Sequence, residues 1–381
     1  MVKTSSSKFS VVSLCAGAGG LDLGFEMAGF SHEYAIDNEL WATKTLTRNR
    51  PFWSVCHGDI RDLKMGSENS PDVLLAGVPC QGFSLGGNRK DADPRNQLYK
   101  HVLRIAGEAK PRVVVIENVL NLRKMRSPET GKFFSAQIAE DLEKCGYTVF
   151  QDIFKMCHYG VPQTRRRFVF VAFREPPPAG YSLPQPDAQV TSIRPFLFDL
   201  ANEEANVTVL PLLNHDPSWG FCSSVHLETG ESVSETDSIK PVRFSRTASD
   251  GHPVRSFDEP FPAIDTATVW GWAQGNVQAV RATKDRVNGK HVRNPTANVT
   301  LWRISASRLR SFTHREYARL QTFPDNWEFL GANKRDIHKQ IGNAVPVEFA
   351  RRLAENIYEA LDCIDTGSIF VNQNQQLVLF A

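Results

Sequence analysis

A chain of 381 residues, 41% hydrophobic and 23% charged, can build a full core and has room for two domains. No apolar run reaches the roughly 18 residues that span a bilayer, and the start, MVKTSSSKFS, lacks the apolar stretch of a secretion signal, so a cytoplasmic protein with no membrane contact is expected. The formal charge of +2 says little, but residues 199–240 carry eight Asp/Glu against one Lys/Arg, and residues 243–310 carry eleven Lys/Arg against five Asp/Glu. That basic stretch reads either as a phosphate-neutralising surface or as an ordinary solvated one. The seven cysteines (15, 56, 80, 145, 157, 222 and 363) form no C-x-x-C pair and the ten histidines are scattered, so neither a metal site nor a disulfide scaffold is expected.

Strand and helix signals alternate over the first 175 residues. Residues 9–14 (FSVVSL) read as a strand, followed by a Gly-rich turn and a helix over about 21–28. A strand at 34–36 precedes a helix over about 40–48, and 72–76 (DVLLA) is a third strand. Residues 113–116 (VVVI) lack alternation, as expected for a strand covered on both faces. A helix over about 133–145 precedes strands at 147–154 and 167–173. This order predicts an α/β fold, a three-layer domain with a largely parallel sheet. Pro176-Pro177-Pro178 ends the pattern, and residues 180–300 read as a separate, irregular, loop-rich unit with strand-like runs such as 266–272. Thr313 and Glu316 form a capping-box pattern, and a last amphipathic helix is expected over about 347–361.

The turn LCAGAGGLDLG places Gly17, Gly19 and Gly20 between strand and helix, where a ligand can approach the backbone and the helix N–H groups. Such turns also serve packing alone. Asp37 follows the second strand, where an acid can bind both hydroxyls of a ribose; Asp59, in HGDI, can accept from an exocyclic amine. Each acid reads equally well as a helix cap or turn residue. Together they suit an adenosine-bearing cofactor, and with no P-loop sequence ATP chemistry is not expected.

Cys80, in GVPCQGFS, leaves the carboxyl end of the 72–76 strand, where α/β sheets bind ligands, and Pro79 restricts the backbone before it. A lone cysteine is more often an inert buried thiol than a nucleophile. Glu117, in ENV, brings a carboxyl to the same sheet edge, able to hydrogen-bond or protonate a ring nitrogen. In PQTRRRFVF, alternation puts Arg165 and Arg167 on one face, where two guanidinium groups can bind an exocyclic carbonyl and a phosphate. A solvated, charged strand end is the other reading.

AGAGGLDLGFEMAGF, PCQGFS, ENV, QTRRRF, REYARLQTFPDNW and KQIGNAVP occur in that order. The set resembles the DNA cytosine-5 methyltransferases, over about the first 175 and the last 75 residues. The resemblance implies a discontinuous Rossmann-like methyltransferase domain (1–178 and 305–381) and a smaller target-recognition domain (179–304). Cys80 would attack C6 of cytosine, Glu117 would contact N3, Arg167 would hold the O2 side and Arg165 would help anchor the closed loop. S-adenosylmethionine would lie over Ala16, Gly17, Gly19 and Gly20. Asp37 with Asn38 would meet its ribose, Asp59 with Ile60 its adenine, and Asn343 with Val345 would complete the pocket. Gln81, Ser84, Arg89 and Arg95 would belong to the loop that closes on DNA, with Gly86 and Gly87 as hinges and Arg89 and Lys90 meeting phosphate. The family commonly has Phe where this chain has Cys15, and often Glu where it has Asp37.

The target carbon is hidden in a stacked duplex, so the base must be flipped out at a cost of a few kcal/mol. The resemblance implies duplex DNA as substrate, a monomer, and pairing with a restriction endonuclease. Two other functions fit parts of the pattern. A tRNA cytosine-5 methyltransferase would share the scaffold, but the middle segment is long enough for a DNA-reading module. A non-catalytic DNA-binding relative would not need Cys80, Glu117 and Arg167 together.

Overall fold

The computed structural model describes residues 7–66, 70–78, 98–127, 129–200, 225–229, 239–243, 256–264, 270–274, 278–282, 301–306 and 308–371. Its strands are β1 (Ser10–Leu14), β2 (Ser31–Asp37), β3 (Ser54–His57), β4 (Val73–Gly77), β5 (Val113–Val119), β6 (Thr148–Lys155), β7 (Arg166–Phe173), β8 (Val225–Thr229), β9 (Ile239–Arg243), β10 (Trp270–Gln274), β11 (Gln278–Ala282), β12 (Leu301–Ala306) and β13 (Arg308–Ser311). Its helices are α1 (Gly20–Met27), α2 (Leu40–Asn49), α3 (Leu98–Ala109), α4 (Phe134–Lys144), α5 (Arg194–Leu197), α6 (His314–Leu320), α7 (Lys334–Asn343) and α8 (Val347–Thr366).

Seven strands form one sheet in the order β3-β2-β1-β4-β5-β7-β6. β3, β2, β1, β4 and β5 run parallel, while β7 pairs antiparallel with both β5 and β6. The strands without alternation are those buried on both faces. Val73, Leu75, Val113, Val115, Val169 and Val171 enter one apolar layer, and Leu74, Ala76, Val114, Ile116, Phe168 and Phe170 enter the other. α1 and α8 cover the first layer with Phe25, Phe349, Leu353 and Ile357; α3 and α4 cover the second with Val102, Ile105, Ile138 and Leu142. Each fully buried Leu, Ile or Phe among them contributes roughly 1.5–3 kcal/mol. The result is the expected three-layer α/β fold, with a mostly parallel sheet.

Three differences from the sequence reading have physical causes. β5 continues to Val119, so Glu117 sits inside the strand rather than beyond it, opposite Gly77 of β4 and Val169 of β7. β3 and α7 carry too few apolar residues in register to stand out in the sequence, and α3, amphipathic with Tyr99, Val102, Ile105, Ala106 and Ala109 buried, is a further helix. Among the described residues, the stretch expected to be irregular holds four short strands, which join β12 and β13 in two three-stranded sheets, β13-β10-β9 and β11-β12-β8. β10, overlapping the expected 266–272 run, is anchored on α6: the Trp270 backbone N–H donates to the Tyr317 hydroxyl (2.7 Å), and Trp272 Nε1 donates to Glu316 Oε1 (2.6 Å). Glu316 also closes the capping box, accepting from the Thr313 N–H through Oε2 (2.6 Å). Among the described residues no helix is long and apolar enough to cross a membrane.

α1 and α8 cross so closely that a Cβ on Gly24 would lie 2.4 Å from Ala350 Cβ and 2.6 Å from the Ala350 carbonyl carbon. Gly107, inside exposed α3 surface, would meet nothing within 4 Å. Gly24→Ala is therefore expected to lower unfolding free energy by roughly 1–3 kcal/mol through overpacking. Gly107→Ala should raise it by roughly 0.5–1 kcal/mol through helix propensity. Chemical denaturation of the two variants checks both signs; equal midpoints would contradict the close crossing.

Candidate active site

The carboxyl ends of β1, β2, β4 and β5 share one edge of the sheet. β1 and β4 are neighbours there although they are not consecutive in the chain. Ligand sites in open α/β sheets form at such a switch point. The chain leaves β1 through Cys15 (φ 52°), Gly17 (φ 57°) and Gly19 (φ 83°), a tight turn with the Ala16 N–H donating to the Ile36 carbonyl (3.2 Å). Cys15, Ala16 and Gly17 are half-buried, and the space beside Gly17 is open for 4 Å. α1 begins with Gly19 as N-cap, which brings no side-chain cap, so its first-turn N–H groups receive no capping hydrogen bond from a side chain. Gly20 is fixed by packing instead: a Cβ there would lie 2.1 Å from the Val345 carbonyl oxygen.

Asp37 ends β2 beside this turn, only 8% exposed. Its Oδ2 accepts the Gly17 N–H (2.8 Å) and its Oδ1 the Glu39 N–H (2.8 Å). Each carboxylate oxygen has a second lone pair left for a ligand hydroxyl. Burial raises the Asp37 carboxyl above the usual aspartate range; the backbone bonds from Glu39 and Gly17 oppose the shift without cancelling it. Asp59 differs. Arg61 donates to it from its backbone N–H (2.9 Å), Nε (3.0 Å) and Nη2 (2.6 Å), and this pairing holds the carboxyl below the usual range. The expected role of Asp59 as acceptor for an exocyclic amine therefore meets a carboxylate already occupied by a guanidinium. Ile60 is buried and Asn38 exposed, its carbonyl accepting from His57 Nε2 (3.1 Å). Asn343, the last residue of α7, is exposed, whereas Val345 is buried and forms the wall behind α1. Glu39 pairs with Lys339 (2.8 Å).

At the β5 end, Glu117 Oε1 lies 2.6 Å from Arg167 Nε, an ion pair with side chains 11% and 15% exposed. The structure thus brings together the carboxyl and one of the two expected guanidinium groups. Arg165 is a correction to the sequence reading. β7 starts at Arg166, so strand alternation does not govern Arg165. It is 2% exposed and its Nη1 donates to the Ile264 and Gly342 carbonyls, both at 2.9 Å. A guanidinium is favoured there because the last carbonyls of α7 carry the negative end of the helix dipole. Arg165 is a clamp between segments, and its Nη1 does not face a base or phosphate. Cys80, Gln81, Ser84, Arg89 and Arg95 lie outside the described residues.

Two buried glutamines escaped the sequence reading. Gln163 Nε2 donates to the Leu320 carbonyl (2.5 Å) and Gln321 Oε1 (2.9 Å), while its Oε1 accepts the Ile264 N–H (3.0 Å). Gln321 Nε2 donates to the Ile341 carbonyl at the end of α7 (2.7 Å). Both are 0% exposed. An uncharged polar residue has no pattern that separates such a network from a surface, and only QTRRRF and RLQTF hold them. Each single Gln163→Leu and Gln321→Leu exchange should lower stability by about 1–3 kcal/mol, through partners left unsatisfied in the interior. The double variant should lose less than the sum, because both singles break the same amide pair. Strict additivity in a denaturation cycle would contradict the network.

Family comparison agrees with this geometry. The family model described as C-5 cytosine-specific DNA methylase matches residues 9–359. The chain is 30% identical to the type II methyltransferase M.DdeI of Desulfomicrobium norvegicum, over 96% of this chain and 93% of that protein. It is 31% identical to the type II methyltransferase M.Eco47II of Escherichia coli, over 95% of this chain and 82% of that protein. The fold matches the crystal structure of the Schizosaccharomyces pombe Dnmt2 methyltransferase with a TM-score of 0.57 at 19% identity, covering 93% of this chain and 99% of that one. An edge that gathers a buried aspartate, a strand-borne glutamate and its arginine partner is thus carried by a chain of known kind: it belongs to the C-5 cytosine-specific DNA methylase family and is a DNA cytosine-5 methyltransferase of the type II restriction-modification group.

Proposed function

We propose that the protein methylates C5 of a cytosine flipped out of a specific duplex DNA sequence, using S-adenosylmethionine and an adduct between Cys80 and C6. The observation that carries the proposal is the register of β4 and β5. Gly77 pairs with Glu117, Glu117 is joined to Arg167 (2.6 Å), and Cys80 follows Gly77 by three residues. The chain that leads on to Cys80 therefore leaves β4 beside the strand that holds the carboxyl, which supports the reading.

The residues present suit the cofactor. Asp37 has acceptor capacity for two ribose hydroxyls, the uncapped start of α1 suits a carboxylate, and the space over Gly17 is open. S-adenosylmethionine, when bound, supplies a methyl group on a positively charged sulfur. The rest falls to this chain. Addition of the Cys80 thiolate forms a sulfur–carbon bond at C6 and pushes the double-bond electrons toward C5, which becomes enamine-like. Glu117 hydrogen-bonds or protonates N3 to accommodate them, and Arg167 orients Glu117 and holds the O2 side. After C5 accepts the methyl, loss of its proton re-forms the double bond and expels the thiolate. Residues 179–304 would read the target, and Gln81, Ser84, Arg89 and Arg95 would close over the flipped base. The relatives' names suggest pairing with a restriction endonuclease in the same cell, where the protein acts in the cytoplasm on DNA.

Bisulfite sequencing of DNA from cells that express the protein should show one methylated motif, absent with Cys80→Ser. Unmethylated DNA despite folded, cofactor-binding protein would overturn the reading, and methylation of purified tRNA in preference to duplex would redirect it. Glu117→Gln and Arg167→Ala should each lower single-turnover methyl transfer by about 10²- to 10⁴-fold, read with cofactor binding as the control. Asp37 supplies a pH test. Its carboxyl is raised, so the charged acceptor is present above that value and lost as pH falls through it, higher than for an ordinary aspartate. Cofactor affinity by calorimetry should fall over that acid range. Asp37→Asn, which turns an amide donor toward the Gly17 or Glu39 N–H, should weaken binding about 10- to 100-fold and flatten the profile.

A further inference from the structure

Four cations stand at the end of the sheet that holds Glu117, on the face opposite its Arg167 pair. β5 runs directly into a 3₁₀ turn, Leu120–Arg123, whose Leu122 is buried. Arg123 and Lys124 follow on the exposed side, as does Arg166 at the start of β7, with half-exposed Lys155 at the end of β6. Lys155 and Arg166 are partners in the β6–β7 register, so their side chains rise on the same face. Phe168, two residues beyond Arg166, presents its ring to that face, and the Arg123 guanidinium sits 5.7 Å from the ring centre. That contact fixes Arg123 next to the pair.

The charges here are handled differently from those nearby. On the adjoining surface Lys100 pairs with Glu129, Lys132 with Glu140 and Lys144 with Asp141. Among the described residues none of Arg123, Lys124, Lys155 and Arg166 forms an ion pair. Like charges directly opposite each other on neighbouring strands are unfavourable. An anion at the rim would relieve that cost. Arg167, between them in sequence, turns to the other face and is taken by Glu117 (2.6 Å).

We infer that Arg123, Lys124, Lys155 and Arg166 form a rim that contacts the phosphates of the duplex beside the flipped nucleotide. The rim rests on the DNA-methylating reading. It is a docking surface on the sheet itself, distinct from the basic 243–310 segment. Guanidinium and ammonium groups bind phosphate without reading sequence, so the rim holds the duplex in register while other residues choose the site.

The test compares the quadruple Ala variant of these four with Lys110→Ala/Arg174→Ala, two exposed cations at the opposite ends of the same strands. The probe is a fluorescent duplex containing the motif that the wild-type protein methylates, titrated at several salt concentrations. The quadruple variant should lose about 3 to 4 from the slope of log K against log salt, near 0.9 per phosphate contact, on specific and random duplex alike. The opposite-end variant should keep the wild-type slope, and cofactor affinity should be unchanged in both. Single-turnover methyl transfer at saturating DNA should persist in the quadruple variant. Lys124→Glu alone, a fully surface change that leaves the core intact, should weaken duplex binding several-fold. A wild-type slope and affinity in both the quadruple and Lys124→Glu variants, in a protein whose wild type methylates DNA, would overturn the rim alone. A wild-type protein that methylates no DNA would instead overturn the reading it rests on.

Discussion

A guanidinium that is 2% exposed cannot stay buried without carbonyl partners, and the partners Arg165 finds come from far along the chain: Ile264 and Gly342. This demand shapes the active edge of the molecule. The start of β7 at Arg166 is thereby tied to the end of α7 and to the segment around Ile264. Gln163, two residues earlier, makes the same demand through an amide, and Gln321 joins it to Ile341. Arg167, two residues beyond Arg165, and the exposed Asn343, next to Gly342, thus flank one buried polar network. Partial loss of such a network is worse than its absence, because each remaining donor is left dry.

The same logic separates the three carboxyl groups of the edge. Asp37 is buried against backbone N–H groups alone, which leaves lone pairs for a ligand and raises its carboxyl. Asp59 accepts three bonds from Arg61, which hold its carboxyl below the usual aspartate range. Glu117 meets a single guanidinium in a largely buried setting, so its position is set from one side. Three acids within one sheet edge have three capacities, and the difference lies in the neighbour rather than in the residue.

Those neighbours explain how far the sequence could be read. Uninterrupted runs such as VLLA and VVVI announce strands covered on both faces, and with them the three layers and the edge where Asp37 ends β2 and Glu117 stands near the end of β5. Thr313 and Glu316 announce a cap because the pattern is local. β3, with SVCH, and α7, with KRDIHKQIGN, carry no such pattern; they are held by packing on β2 and α6. Arg165 was misread because alternation is a property of strands, and the strand starts one residue later. The engagement of Asp59 by Arg61 was two residues away in the sequence, yet its geometry depends on the turn after β3. Gln163 and Gln321 are 158 positions apart, and their pairing is set only when the C-terminal helices close on the sheet.

That closure also explains why glycine recurs along α1. The helix must start close enough to Val345 for the carbonyl there to touch the Gly20 backbone, and must cross α8 close enough that Gly24 meets Ala350. Both contacts press the C-terminal segment against the first turn of α1. The first-turn N–H groups then stand in a fixed position relative to Asp37 and Asn343, which come from opposite ends of the chain. A cofactor spanning them would be gripped by elements that no local stretch of sequence holds together. The glycines that read as a ligand-binding turn are therefore as much a packing requirement: the approach of α8 fixes α1, and the fixed α1 places the turn.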